Sequence, residues 1–119
     1  MGSLFKTFVT AAATLTFMAG LSWIGPPVHA QEAALTVQIS VKNHRFQPAE
    51  IRASANKPIV LRIKNLDATP MEFESVTLRV EKVVAGNSDG IIRLRALSPG
   101  RYDFFDDFHP ETRGTLVAQ

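Results

Sequence analysis

The chain has 119 residues, room for one domain, and its composition (45% hydrophobic, 20% charged) is that of a globular protein rather than a disordered one. Thirteen basic residues against eleven acidic ones leave a near-neutral balance, which argues against nucleic acid as the partner. There is no cysteine, so neither a disulfide staple nor a thiolate metal ligand is available.

Residues 1–30 have the layout of a secretory signal. Lys6 precedes an apolar stretch from Phe8 to Ile24, and Gly25-Pro26-Pro27 and Val28-His29-Ala30 follow before the first acid, Glu32. A basic start, an apolar middle, a helix breaker and a small residue at the cut predict cleavage after Ala30 and a periplasmic mature domain, 31–119. A retained membrane anchor is the competing reading, because Phe8 to Ile24 has the length, about 17 residues, of the shortest spanning helices. The Pro-Pro pair and the V-x-A site favour removal.

From Leu35 the pattern alternates strictly: Leu35, Val37, Ile39 and Val41 are apolar, with Thr36, Gln38, Ser40 and Lys42 between them. That is a half-buried strand by period and β-branched content. Asn43 to Pro48 breaks it, with Phe46 turning inward over the core, and a short second strand is expected around Ile51 to Ala53. Ser54 to Pro58 carries turn chemistry. Ile59 to Lys64 reads as a third strand, Asn65 to Pro70 as a loop, and Met71 to Ser75 as a further strand with Met71, Phe73 and Ser75 on one side and Glu72 and Glu74 on the other. Val76 to Val84 reads equally as strand or as strand plus crossing turn. Ala85 to Gly90 reads as loop, Ile91 to Leu97 as strand, and Ser98-Pro99-Gly100 as turn. A last hairpin follows: an alternating run from Gly100, a loop holding Asp106, Asp107 and His109, and a second β-rich run, Thr115 to Val117. Seven or so short strands at roughly 8 to 12 residue spacing with no helix predict an all-β antiparallel sandwich or barrel.

The chemistry concentrates in that hairpin loop. Two carboxylates and an imidazole within four residues offer oxygen and nitrogen donors for a divalent transition metal. Asp106 and Asp107 point to opposite faces of an extended backbone, so one binds; Asp106, three residues before His109, is the better placed, and Asp107 reads as a solvated turn residue. Glu72 lies near the loop end of its strand, Glu74 reads as a solvated residue paired across the sheet, and the Met71 thioether is either a core plug or a soft ligand favouring copper. His44 sits in the turn after the first strand. Ser75 and Ser98 have no histidine nearby in sequence, and there is no phosphate loop or zinc-protease helix, so a hydrolase is unsupported.

Phe46-x-Pro48, the strand ending in Asn65, the segment Thr69 to Ser75 (TPMEFES) and G-R-Y-x-F-F-x-x-F-H-P from Gly100 together resemble cupredoxin-like domains, specifically the EfeO-type cupredoxins of bacterial iron uptake. The resemblance spans about residues 35 to 118. It implies a Greek-key β-sandwich of seven to eight strands with a metal end that gathers His44, Met71, Glu72, Asp106 and His109. In blue-copper members the last hairpin supplies Cys and His; here Asp106 stands where the Cys would be and His109 matches the His. Met71 follows Pro70 where a second histidine is usual, and no methionine follows His109. Without a thiolate the site is not a blue copper centre, and the remaining donors move preference toward Cu(II) or iron. The resemblance further implies a periplasmic protein serving a membrane iron permease and its companion uptake components, by delivering or oxidising the metal. A ferroxidase-type electron step is the one catalytic role this suggests. The rival expectation is a metal-free sandwich whose loop end binds another protein.

Overall fold

The computed structural model describes residues 34–119, together with residues 2, 20, 22, 24 and 25. The signal segment expected over residues 1–30 otherwise lies outside the described residues. Nine strands run in chain order: β1 (Leu35–Lys42), β2 (Arg45–Gln47), β3 (Glu50–Ala53), β4 (Ile59–Asn65), β5 (Met71–Ser75), β6 (Val80–Val84), β7 (Ser88–Leu94), β8 (Gly100–Asp106) and β9 (His109–Ala118). They form two sheets, β2-β1-β4-β7 and β3-β9-β8-β5-β6, which pack face to face as a Greek-key sandwich. The two sheet neighbours β1 and β4 run parallel, as do β3 and β9, and the other pairs are antiparallel.

The alternation in the sequence becomes the core. Ile39, Val41, Ile59, Leu61 and Ile63 from one sheet meet Met71, Phe73, Phe104 and Leu116 from the other, all at 2% exposure or less. Three aromatic rings centre it: Phe73 stacks on Phe104 with ring centroids 4.9 Å apart, and Phe46 meets Phe104 edge-on at 4.9 Å. Phe46 closes the core as its position predicts, although it does so from within the short strand β2. Gly114 on β9 is what lets Phe104 lie flat, since a Cβ there would collide with the ring and with the Ala49 carbonyl.

Three stretches differ from the sequence expectation: β7 ends at Leu94, so residues 95–97, expected as strand, are not part of it, and two further differences lie at strand starts. Residues 88–90, expected as loop, begin β7, because Asn87 takes a left-handed φ of 50° and tightens the turn after β6, bringing Ser88 opposite Asn65. The final strand begins at His109 rather than Thr115, leaving Asp107-Phe108 as a two-residue turn. Its register jumps from Phe105↔Arg113 to Asp106↔His109, so Pro110, Glu111 and Thr112 form a bulge in which Pro110 and Glu111 are exposed and Thr112 is buried. Pro110 is tolerated because β3 pairs only with Thr115 to Ala118, and no ladder bond is asked of residue 110 from that side. The open alternative for Val76 to Val84 resolves as a turn followed by β6.

Candidate metal site

Four connections meet at one end of the sandwich: the β1–β2 turn, the β4–β5 loop, the β6–β7 turn and the β8–β9 turn. Asn65, at the buried end of β4, ties two of them, the β4–β5 loop and the β6–β7 turn. Its Nδ2 donates to the carbonyls of Thr69 (2.9 Å), Ala85 (3.2 Å) and Val84 (3.3 Å), and its Oδ1 accepts from the Asp67 amide at 3.1 Å. An amide side chain suits this position because it carries two N–H donors beside a carbonyl acceptor. Asp67, so placed, accepts from the amides of Asn43 (2.7 Å) and His44 (2.9 Å). Those two residues form the turn after β1 with φ of 51° and 55°, the geometry of a tight hairpin turn, and the carboxylate pins it. Donation from the His44 amide, with help from Asn43 and the neighbouring imidazoles, holds the Asp67 carboxyl below the usual aspartate range.

His44 and His109 then meet. Their rings stack with centroids 3.9 Å apart. The Thr112 hydroxyl, carried inward by the β9 bulge, donates to the His44 carbonyl and locks the two turns together. Asp106 is fully buried and every oxygen is used: Oδ1 accepts from the amides of Glu72 (2.9 Å) and Phe108 (3.0 Å), and Oδ2 faces His109 Nδ1 at 3.0 Å. A carboxylate only accepts, so Nδ1 of His109 is the donor in this pair and Nε2 is the ring nitrogen left for another partner.

The five residues named from the sequence therefore occupy three environments. His44, Asp106 and His109 come together, with Asp106 orienting the imidazole. Met71 points into the core at 2% exposure, and Glu72, its neighbour, turns to the outer face of β5. There Glu72 finds acids that read as solvated in the sequence. Ligand atoms of Glu72, Glu74 and Asp107 all lie within 4.8 Å of one another, the one such group of three histidines or acids among the described residues. Glu81, opposite Glu74 on β6, adds a fourth carboxylate. Glu72 is 8% exposed. The shared hydrogen bond with Glu81, burial, and repulsion from Glu81, Asp107 and Glu74 push the Glu72 carboxyl up to about 7. Burial and the charges of Asp107 and Glu81 raise Glu74 as well.

Asp67 and the Glu74–Asp107 pairing escaped the sequence because their partners are distant in the chain. The shared parity of Glu72 and Glu74 was the one signal of the acidic face. A cleft of about 430 Å³ lies elsewhere, on the outer face of β8 and β9 between Arg101 and Arg113.

This is a Greek-key sandwich whose loop end presents an imidazole pair and a carboxylate group. Its sequence matches the cupredoxin-like domain family over residues 11–118, and the chain belongs to that family. An uncharacterised protein of Rickettsia prowazekii (strain Madrid E) is 37% identical over 93 residues, 77% of this chain and 74% of that one. Among solved structures, auracyanin A, a blue copper protein of Chloroflexus aurantiacus, superposes with a TM-score of 0.61 at 16% identity, covering 72% of this chain and 99% of its own. The metal-binding domain of the Cu(I)-exporting ATPase CopA of Streptococcus pneumoniae D39 gives 0.61 at 14% identity over 71% and 84% of the two chains. The purple cupredoxin of Nitrosopumilus maritimus gives 0.54 at 14% over 71% and 99%. At these identities the structural likeness carries the fold alone.

The residues here do not fit a blue copper ion. The chain has no thiolate, and the carboxylate in the hairpin, Asp106, is sealed from solvent with its oxygens committed to two amides and an imidazole.

Proposed function

We propose that this is an exported cupredoxin-fold protein of the EfeO type, which binds iron on the outer face of its loop end and serves a bacterial iron-uptake system beside a membrane permease. The observation that carries the reading is the convergence of Glu72, Glu74 and Asp107 within 4.8 Å around a carboxyl raised to about 7. Like charges gathered without a cation repel, and the proton Glu72 retains is the one an incoming metal would displace. All-oxygen donors suit a hard cation, and iron in either oxidation state accepts them. The exported, periplasmic location rests on the N-terminal segment of the sequence, and the permease partner on the family resemblance.

The stacked pair His44 and His109 supports a second reading, copper. Their side chains are 44% and 29% exposed, and imidazole nitrogen favours Cu(II). Calorimetric titration separates the two. Fe(II) under anaerobic conditions should bind the protein, and Glu72→Gln or Asp107→Asn should weaken it at least about tenfold, the loss of one charged ligand. Cu(II) heat that vanishes in His109→Ala but survives in Glu72→Gln would assign copper to the imidazoles. No heat from either metal would leave the loop end as a metal-free protein-binding surface.

A further inference from the structure

We infer that the opposite end of the sandwich binds a phosphate-bearing anion through Arg79, Arg93 and Arg95. The three guanidinium-bearing residues line one cleft of about 250 Å³ where the edges of β6 and β7 face each other, over a floor that includes Leu78, Leu94 and Leu97. The floor residues are buried, at 3%, 6% and 3% exposure, so charge interactions at the mouth are screened less than on an open surface.

Pairing sets these arginines apart from Arg52, Arg62, Arg101 and Arg113; Arg45, which also has no ion pair among the described residues, does not line this cleft. Arg62 holds Asp89 at 2.6 Å, Arg101 and Arg52 reach Glu50 at 3.4 and 3.8 Å, and Arg113 lies over the Phe105 ring at 5.6 Å. Among the described residues Arg79, Arg93 and Arg95 have no ion-pair partner. The acid nearest to Arg79 in sequence, Glu81, belongs to the carboxylate group around Glu72. Backbone conformation adds to this. Arg79 closes the turn after β5 at a φ of 56°, where glycine or asparagine is the easier choice, and its amide donates to the Val76 carbonyl at 3.2 Å. The turn thus accepts a less suitable residue that places a guanidinium at the cleft.

Three like charges around one apolar-floored cleft call for an anion. Guanidinium forks match the oxygens of a phosphate, which offers more acceptor sites than a carboxylate, and the cleft is small beside pockets for whole organic ligands, about 300 to 1,000 Å³. A single phosphate group fits this, either as the free ion or as a lipid headgroup. This site is independent of the metal reading, since the turns that build it lie at the other end of every strand involved.

Heteronuclear NMR on the ¹⁵N-labelled full chain, titrated with inorganic phosphate at constant ionic strength, tests it. Saturable shifts are expected in the amides of residues 78–80 and 93–97 and in the arginine Nε signals. Arg93→Gln, Arg95→Gln and Arg79→Asn should each weaken binding about tenfold; asparagine is chosen because it keeps the left-handed turn. Flotation with phosphatidylglycerol against phosphatidylcholine vesicles identifies the source: arginine-dependent flotation without a phosphate response assigns the headgroup, and saturation by phosphate alone assigns the free ion. Non-saturating shifts together with no arginine-dependent flotation, or equal binding by all three folded variants, would overturn the assignment.

Discussion

At the loop end, Asp67 and Asp106 accept hydrogen bonds from four backbone amides, and Asp106 also faces the His109 imidazole, so the turns that carry His44 and His109 are pinned by carboxylates. At the far end, Arg79, Arg93 and Arg95 line their cleft with no ion-pair partner among the described residues. One end spends buried polar groups on fixing the backbone turns that bring its carboxylates and imidazoles together. The other gathers charge and leaves geometry loose, which is enough for an anion that accepts hydrogen bonds from many directions. The two ends share one core, so variants that act through the core strike both, and variants of either end leave the other intact.

Phe104→Ala has the largest expected effect. It opens a cavity beneath both ends, and urea unfolding should show a loss of about 3–5 kcal/mol. Asp106→Ala comes next, at about 3 kcal/mol, because two backbone amides lose their acceptor and the His109 ring loses its anchor. NMR should show the His109 tautomer becoming mixed while the arginine signals stay in place. Asp67→Ala should cost about 1–2 kcal/mol and loosen the turn at Asn43 and His44, seen as faster amide exchange there.

A pH series divides the ends further. Glu72 has a folded-state value of about 7, above its ordinary 4.5, so the native state holds the proton more tightly than the unfolded chain does. Its contribution is therefore present below about pH 4.5 and lost as pH rises through about 7. In chelator-treated protein the urea midpoint should fall between pH 5 and 8, and Glu72→Gln should flatten that slope. Asp67 is shifted the other way and acts only in more acidic solution, outside this window. Smallest of all is Arg79→Asn, expected within about 0.5 kcal/mol of the parent because the residue is exposed and the turn conformation is retained.

Local pattern carried the fold. The alternation from Leu35 to Lys42 gave the bounds of β1, and the parity of Met71, Phe73 and Ser75 placed all three inside. The turn chemistry of Ser54 to Pro58 and the existence of the last hairpin were legible for the same reason, strand period and turn residues being properties of neighbours in sequence, but the hairpin's bounds were not, since Asp106 ends β8 and β9 starts at His109. The candidate site was legible in part. His44, Asp106 and His109 were named and do meet, whereas Met71 is core and Glu72 faces the other way. Strand parity alone separates Met71 from Glu72, and the family resemblance set that parity aside. Asp67 acts on a turn 23 and 24 residues away, and Asp107 joins Glu72 only through the pairing of β5 with β8. The β9 bulge, which delivers Thr112 to His44, follows from register, and register is decided by the whole sheet.

The central claim is that an iron ion sits among carboxylates on the outer face of the loop end. Crystals grown with iron, measured at its absorption edge, test this most directly through an anomalous difference map. The account predicts one peak within bonding reach of Glu72, Glu74 and Asp107. A peak beside the Met71 sulfur and Asp106, or no peak at full iron saturation of the crystals, would contradict it.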